Sequence, residues 1–140
     1  MPALRTYDLF ISHAWKYSDD YCRAVKLLAS APNFAFRNYS VPEHDPVLDP
    51  DDEYERKELR AALDEQIRPV NCVLIISGMY VPHSYWIQQE IGIAVSYGKP
   101  IVGLIPRGAE RIPTAVSNAA KEMVGWTTDS IVAAVRKHSI

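Results

Sequence analysis

Long apolar runs are missing from this chain. No stretch approaches the roughly 18 residues that cross a bilayer, and the N-terminus has no signal-peptide pattern, so no membrane partner is expected. No sign of charge dominates either. The chain has 15 Lys and Arg against 17 Asp and Glu, a net charge of −2, with the signs interspersed. That leaves no electrostatic footprint for nucleic acid. Cys22 and Cys72 are too few and too far apart for a disulfide framework or a zinc site. Cys72 sits in an apolar strand pattern, as small buried thiols do, and the expected compartment is the cytoplasm. Repeats, low-complexity tracts and linker-like stretches are also absent. The 140 residues, 48% of them apolar, therefore read as one domain, 1–140, with a complete core.

Several site signatures are missing too. The first turn, Ser12-His13-Ala14-Trp15, contains no glycine, which excludes a dinucleotide fingerprint and a phosphate-binding P-loop. The end of the third apolar run is Ser77-Gly78, where a phosphate-accepting receiver domain needs an aspartate. Asp49, Asp51 and Glu53 start like a calcium loop, but Tyr54 replaces the required glycine and Arg60 the closing glutamate. His13, His44, His83 and His138 have no metal-ligand spacing, so no metal site is expected. Neither Ser12 nor Ser77 lies in a nucleophile elbow.

What is present is an alternation. Tyr7 to Ser12 reads as a strand, and Ser18-Asp19-Asp20 caps a helix whose Tyr21, Val25 and Leu28 share a face. Phe34 to Tyr39 is a second strand. A polar, proline-rich stretch from Ser40 to Pro50 follows, and Asp49-Pro50-Asp51-Asp52 opens a helix with Leu59, Leu63 and Ile67 as its buried stripe. Cys72 to Ser77 is a third strand, then a loop through Pro82 and a helix stopped by Gly98-Lys99-Pro100. Ile101 to Ile105, a short helix near Thr114 to Lys121, a brief strand from Met123 to Trp126 and a helix capped by Asp129 complete the chain. Five strand–helix repeats imply an α/β fold: a doubly wound, five-stranded parallel sheet in a flavodoxin-like three-layer arrangement. Ligands of such sheets bind beyond the carboxyl ends of the strands, at Ser12 to Trp15, Ser40 to Asp49, Ser77 to Tyr85 and Pro106 to Glu110.

One pair stands out near that crevice. Trp86 and Glu90 are one helical turn apart, so indole and carboxylate share a face, one to two turns into their helix. An acid beside an aromatic at such a place suits chemistry at a sugar carbon. Pattern alone leaves alternatives: Glu90 as a solvated charge, Trp86 as packing, Ser12 and His13 as strand-end hydrogen bonders, Ser77 as turn chemistry.

Tyr7-Asp8-Leu9-Phe10-Ile11-Ser12-His13 resembles the first strand of TIR domains. Cys72 to Ser77, then Trp86 and Glu90, then Gly98-Lys99-Pro100-Ile101-Val102, resemble their third and fourth strands and the helix between. Order and spacing match over most of the chain, most like the compact prokaryotic TIR-like branch that includes the TIR proteins of Thoeris anti-phage defence. The resemblance implies cleavage of the nicotinamide–ribose bond of NAD, as substrate rather than cofactor, with Glu90 as the catalytic carboxylate. Nicotinamide leaves as a neutral base from a cationic pyridinium, so one carboxylate suffices to stabilise or trap the ribosyl cation. Phe10, Ser12, His13, Trp15, Asp45, Ser77 and Trp86 would then contact the substrate. An active homo-oligomer and a downstream effector that senses a cyclic ADP-ribose-type product are further expectations, since a domain without an attached effector passes its output on through a product or a partner. Two other functions fit this fold. One is a self-associating adaptor without activity. The other is an enzyme like the nucleoside deoxyribosyltransferases, which also combine a helix glutamate with a Gly-Lys-Pro strand entry.

Overall fold

Short β-branched runs alternating with amphipathic stretches produce strand–helix repeats in the computed structural model, which describes residues 6–11, 19–32, 34–39, 53–76, 80–105 and 114–140. Five strands, β1 (Thr6–Ile11), β2 (Ala35–Asn38), β3 (Cys72–Ile76), β4 (Ile101–Leu104) and β5 (Glu122–Val124), form one sheet in the order β2-β1-β3-β4-β5. Every pairing is parallel. The crossovers carry helices α1 (Asp19–Ala29), α2 (Glu53–Ile67), α3 (Tyr80–Ser96) and α4 (Thr114–Ala119), and α5 (Thr128–His138) follows β5. This is the flavodoxin-like order, whose direction reverses between β1 and β3.

Register assigns the two helical layers. Phe10 pairs with Val73, and Ile75 with Gly103, so these side chains share one sheet face. On that face a Cβ on Gly103 would collide with Met123 Sδ and stand 3.4 Å from Val116 of α4. Helix α3 packs on β3 between α2 and α4, so α2, α3 and α4 cover this face. The opposite face carries Glu122, whose Oε1 lies 2.9 Å from His138 Nε2 of α5, and α5 packs against α1. With both faces covered, β3 and β4 are buried throughout, as their apolar runs require.

Helix ends follow local chemistry. Gly98, at φ 67°, closes α3 in a Schellman motif: its N–H donates to Val95 O (3.0 Å) and the Lys99 N–H to Ala94 O (2.8 Å). Three expectations change. Pro82 does not lie in a loop, because α3 begins at Tyr80. Pro82 falls in the first turn, where no N–H has an intrahelical partner and proline is tolerated. Asp129 is not the cap of α5. Thr127 is, its side chain accepting from Ser130 N at 3.2 Å, while Asp129 occupies the first turn and complements the helix dipole. Strand β5 ends at Val124, so Trp126 lies beyond it and packs on the core instead. The expected helix start at Asp49 to Asp52 lies outside the described residues.

The base of the sheet is stitched by one residue. Asn71 donates its backbone N–H to Asp8 O (2.7 Å) and accepts from Ile140 N (3.2 Å). Its side chain accepts from Asp8 N (2.9 Å) and donates to Ile140 O (3.0 Å). Beside it, Asp8 and Arg37, paired in register, meet in a two-point ion pair of 2.6 and 3.0 Å. The Asp8 carboxylate thereby holds the Arg37 guanidinium above its ordinary pKa.

Candidate active site

The site starts from Glu90, whose carboxylate has 0% exposure. Among the described residues it is the one charged side chain inside the core. Its neighbours explain its orientation. Ala94, one turn on, is buried at 0%, whereas Gln88 is exposed and Gln89 half-buried. Glu90 therefore continues the inward stripe of α3, and the reading of a solvated helix charge is overturned. Holding a carboxylate away from water costs on the order of several kcal/mol when ionised, so stability alone disfavours it here.

Glu90 is deeper in its helix than the spacing suggested, ten residues after Tyr80. The sheet still brings it toward the crevice. The Pro100 carbonyl, just past the end of α3, accepts from Val73 N at 2.9 Å, so the foot of the helix is level with the foot of β3. Glu90 lies about 9 Å above Ser96 along α3. The five residues of β3 rise about 13 Å. The carboxylate is thus level with the upper half of β3, beneath the crevice rather than on its rim.

The remaining expected site residues divide into three groups. Ser12, His13, Trp15, Asp45 and Ser77 lie outside the described residues. Ser12 and His13 directly follow β1 in the chain and Ser77 directly follows β3, the two strands that flank the switch point. Trp86 belongs to α3, one turn before Glu90, with its side chain outside the described set. Phe10 is described: at 0% exposure its ring lies in the core, as the Glu90 carboxylate does, and its expected contact with substrate stays a proposal. Alternation along β1 turns it toward the layer of α2, α3 and α4, the same inter-layer core that holds Glu90.

Two features of α3 were not apparent from pattern. A surface groove of about 610 Å³ runs between α2 and α3, lined by Arg60, Asp64, Glu65, Arg68, Gln89 and Ile93. It carries both charges equally and does not include Glu90, so it is a seam between helices rather than the reacting centre. At its foot Tyr97 donates to Asp64 Oδ1 at 2.7 Å, and Arg68 lies 3.4 Å from the same oxygen. The hydrogen bond to Asp64 holds the Tyr97 hydroxyl above its ordinary pKa. This ties the end of α3 to α2 across 33 positions of sequence, a separation no local spacing reveals.

A doubly wound parallel sheet with a helix glutamate drawn into the core below the switch point is consistent with a TIR-like domain. The chain belongs to the family described as Thoeris protein ThsB, TIR-like domain, which matches residues 10–111, from the end of β1 to beyond β4, Glu90 included. Its fold is similar to the CMP N-glycosidase BcmB of Clostridium botulinum, with a TM-score of 0.52 and 12% identity over 92% of this chain and 98% of that one. No curated protein matches the sequence. Among the described residues, no helix is long and apolar enough to cross a membrane.

Proposed function

We propose that this protein cleaves the bond between nicotinamide and ribose in NAD, with Glu90 as the catalytic carboxylate. The observation that carries the reading is the complete burial of Glu90 on the helix that follows β3, beside the switch point of the sheet. As the C–N bond breaks, its electron pair leaves with nicotinamide, which departs as a neutral base. Positive charge develops on the ribose C1′ and its ring oxygen. A carboxylate in a site of low dielectric attracts that charge far more strongly than one in water. It either stabilises the cation until an acceptor attacks or bonds to C1′ in a covalent intermediate. Water as acceptor yields ADP-ribose and a proton; an internal adenine nitrogen or ribose hydroxyl yields a cyclic isomer. A cyclic product, acting as an immune signal read by a separate effector, and an assembled, homo-oligomeric active form are part of this proposal. Phe10, Ser12, His13, Trp15, Asp45, Ser77 and Trp86 remain the proposed substrate contacts.

A second reading shares this chemistry. The likeness to a CMP N-glycosidase favours a nucleoside monophosphate or a deoxynucleoside, cleaved between base and sugar by the same carboxylate. Incubating the purified protein separately with NAD, CMP and deoxynucleosides, with mass spectrometry of the products, separates the two. Nicotinamide release supports the first, free cytosine or another free base the second. No release by an assembled sample contradicts both and leaves the adaptor.

A further inference from the structure

We infer that two copies of this chain associate through the exposed face where α2 and α3 meet, an inference that rests on the assembled form proposed above and gives it a surface. Among the described residues three large apolar side chains are exposed, and two of them, Val95 at 61% and Tyr97 at 39%, stand at the foot of α3. Apolar side chains gathered on one stretch of surface suit contact with another protein. Gly92 adds to this. It is exposed, and it lies between Gln89 and Ile93, which line the groove against α2. The fold of one subunit does not require it: a Cβ would meet no atom within 4 Å, and Gly98, not Gly92, is the positive-φ glycine. Alanine would favour the local helix roughly fivefold. Glycine instead bares the backbone, so that a second helix can approach α3 closely.

Charge selects the occupant. Arg60 and Arg68 face Asp64 and Glu65 across the groove lining, a balance that favours neither an acidic nor a basic partner. Asp64 is engaged within the subunit by Tyr97 and Arg68. Arg60 and Glu65 are both exposed and, among the described residues, neither has an ionic partner. One cation and one anion five positions apart on a helix are complementary to the same helix turned end for end. A two-fold axis midway between them sets Arg60 against Glu65 of a second copy, and Glu65 against its Arg60. Ala61, exposed and small, lies near that axis and lets the two α2 helices meet. Gln89 and Ile93 share the groove with Arg60 and Glu65, so Gly92 lies at the same level, where the two α3 helices cross.

Sedimentation velocity of charge variants tests this without any substrate. Wild type should dimerise reversibly, with a Kd below about 1 mM. Arg60→Glu and Glu65→Arg each bring like charges together at both contacts, and each should raise that Kd at least about tenfold. An equal mixture of the two variants should recover a dimer of wild-type strength, since each supplies the sign the other lacks. Lys26→Glu, on α1 in the opposite layer, should leave Kd within about twofold. Gly92→Gln, a better helix former, should nevertheless weaken the dimer at least about tenfold by filling the close approach. Single variants that assemble like wild type, or a mixture that stays dissociated, overturn this surface and leave the assembled form to another. Wild-type chains that stay monomeric overturn both. These outcomes hold whether or not the protein cleaves NAD.

Discussion

At the scale of single residues, burial separates side chains that the sequence leaves equivalent. Glu90 was legible as a candidate from its helix and its spacing to Trp86. Its direction was not, because Gln88, Gln89, Ile87 and Ile91 surround it with both kinds of face. Tertiary packing of Ala94 against the sheet settled it. The cysteines form another such pair, Cys22 exposed and Cys72 buried. Burial pushes the Cys72 thiol from an ordinary 9.0 up to about 12. Below about pH 9 both folded and unfolded chains keep this proton. Above it the unfolded chain releases the proton while the fold holds it, so stability falls by about 1.4 kcal/mol per unit until about pH 12. Unfolding curves between about pH 9 and 11 should therefore be flatter with pH in Cys72→Ala than in wild type. Under native conditions iodoacetamide should label Cys22 and spare Cys72; equal labelling contradicts the burial. Asn71→Ala leaves Asp8 N and Ile140 O without their side-chain partner and should cost about 1–3 kcal/mol in urea unfolding.

At the scale of elements, the run of strands and helices was readable because each apolar period ends in a turn residue with its own chemistry. Boundaries moved where two signals competed. Pro82 suggests a loop, yet a proline in a first turn loses no hydrogen bond, so α3 extends back to Tyr80 and Glu90 becomes an interior residue. Asp129 and Thr127 both suit a cap, and Thr127 takes the role because its backbone is extended, at φ −132° and ψ 149°. Thr127→Ala should thus destabilise the protein by about 1 kcal/mol, seen as a lower urea midpoint with an unchanged slope, whereas Asp129→Ala should cost less. Equal losses would return the cap to Asp129. The tie from Tyr97 to Asp64 was invisible because it joins two helices far apart in sequence. Tyr97→Phe should loosen the foot of α3 and speed amide exchange there.

At the scale of the whole molecule, the strand order β2-β1-β3-β4-β5 converts separate motifs into one place. The sequence alternation implied a doubly wound, flavodoxin-like parallel sheet, and the observed order agrees. That order puts β1 beside β3 and makes the ends of these two strands the walls of a crevice. Glu90 then lies below it, on a helix held between α2 and α4. The family, the fold and the buried carboxylate are the grounds for the proposal that one acidic residue cleaves a nucleotide. Product analysis of assembled wild-type protein and Glu90→Gln with NAD tests this most directly, since the amide keeps the volume of the carboxylate and removes its charge. The account predicts nicotinamide release by wild type, a loss of at least about a thousandfold in the variant and an unchanged circular dichroism spectrum. A Glu90→Gln protein that releases nicotinamide at the wild-type rate would contradict it.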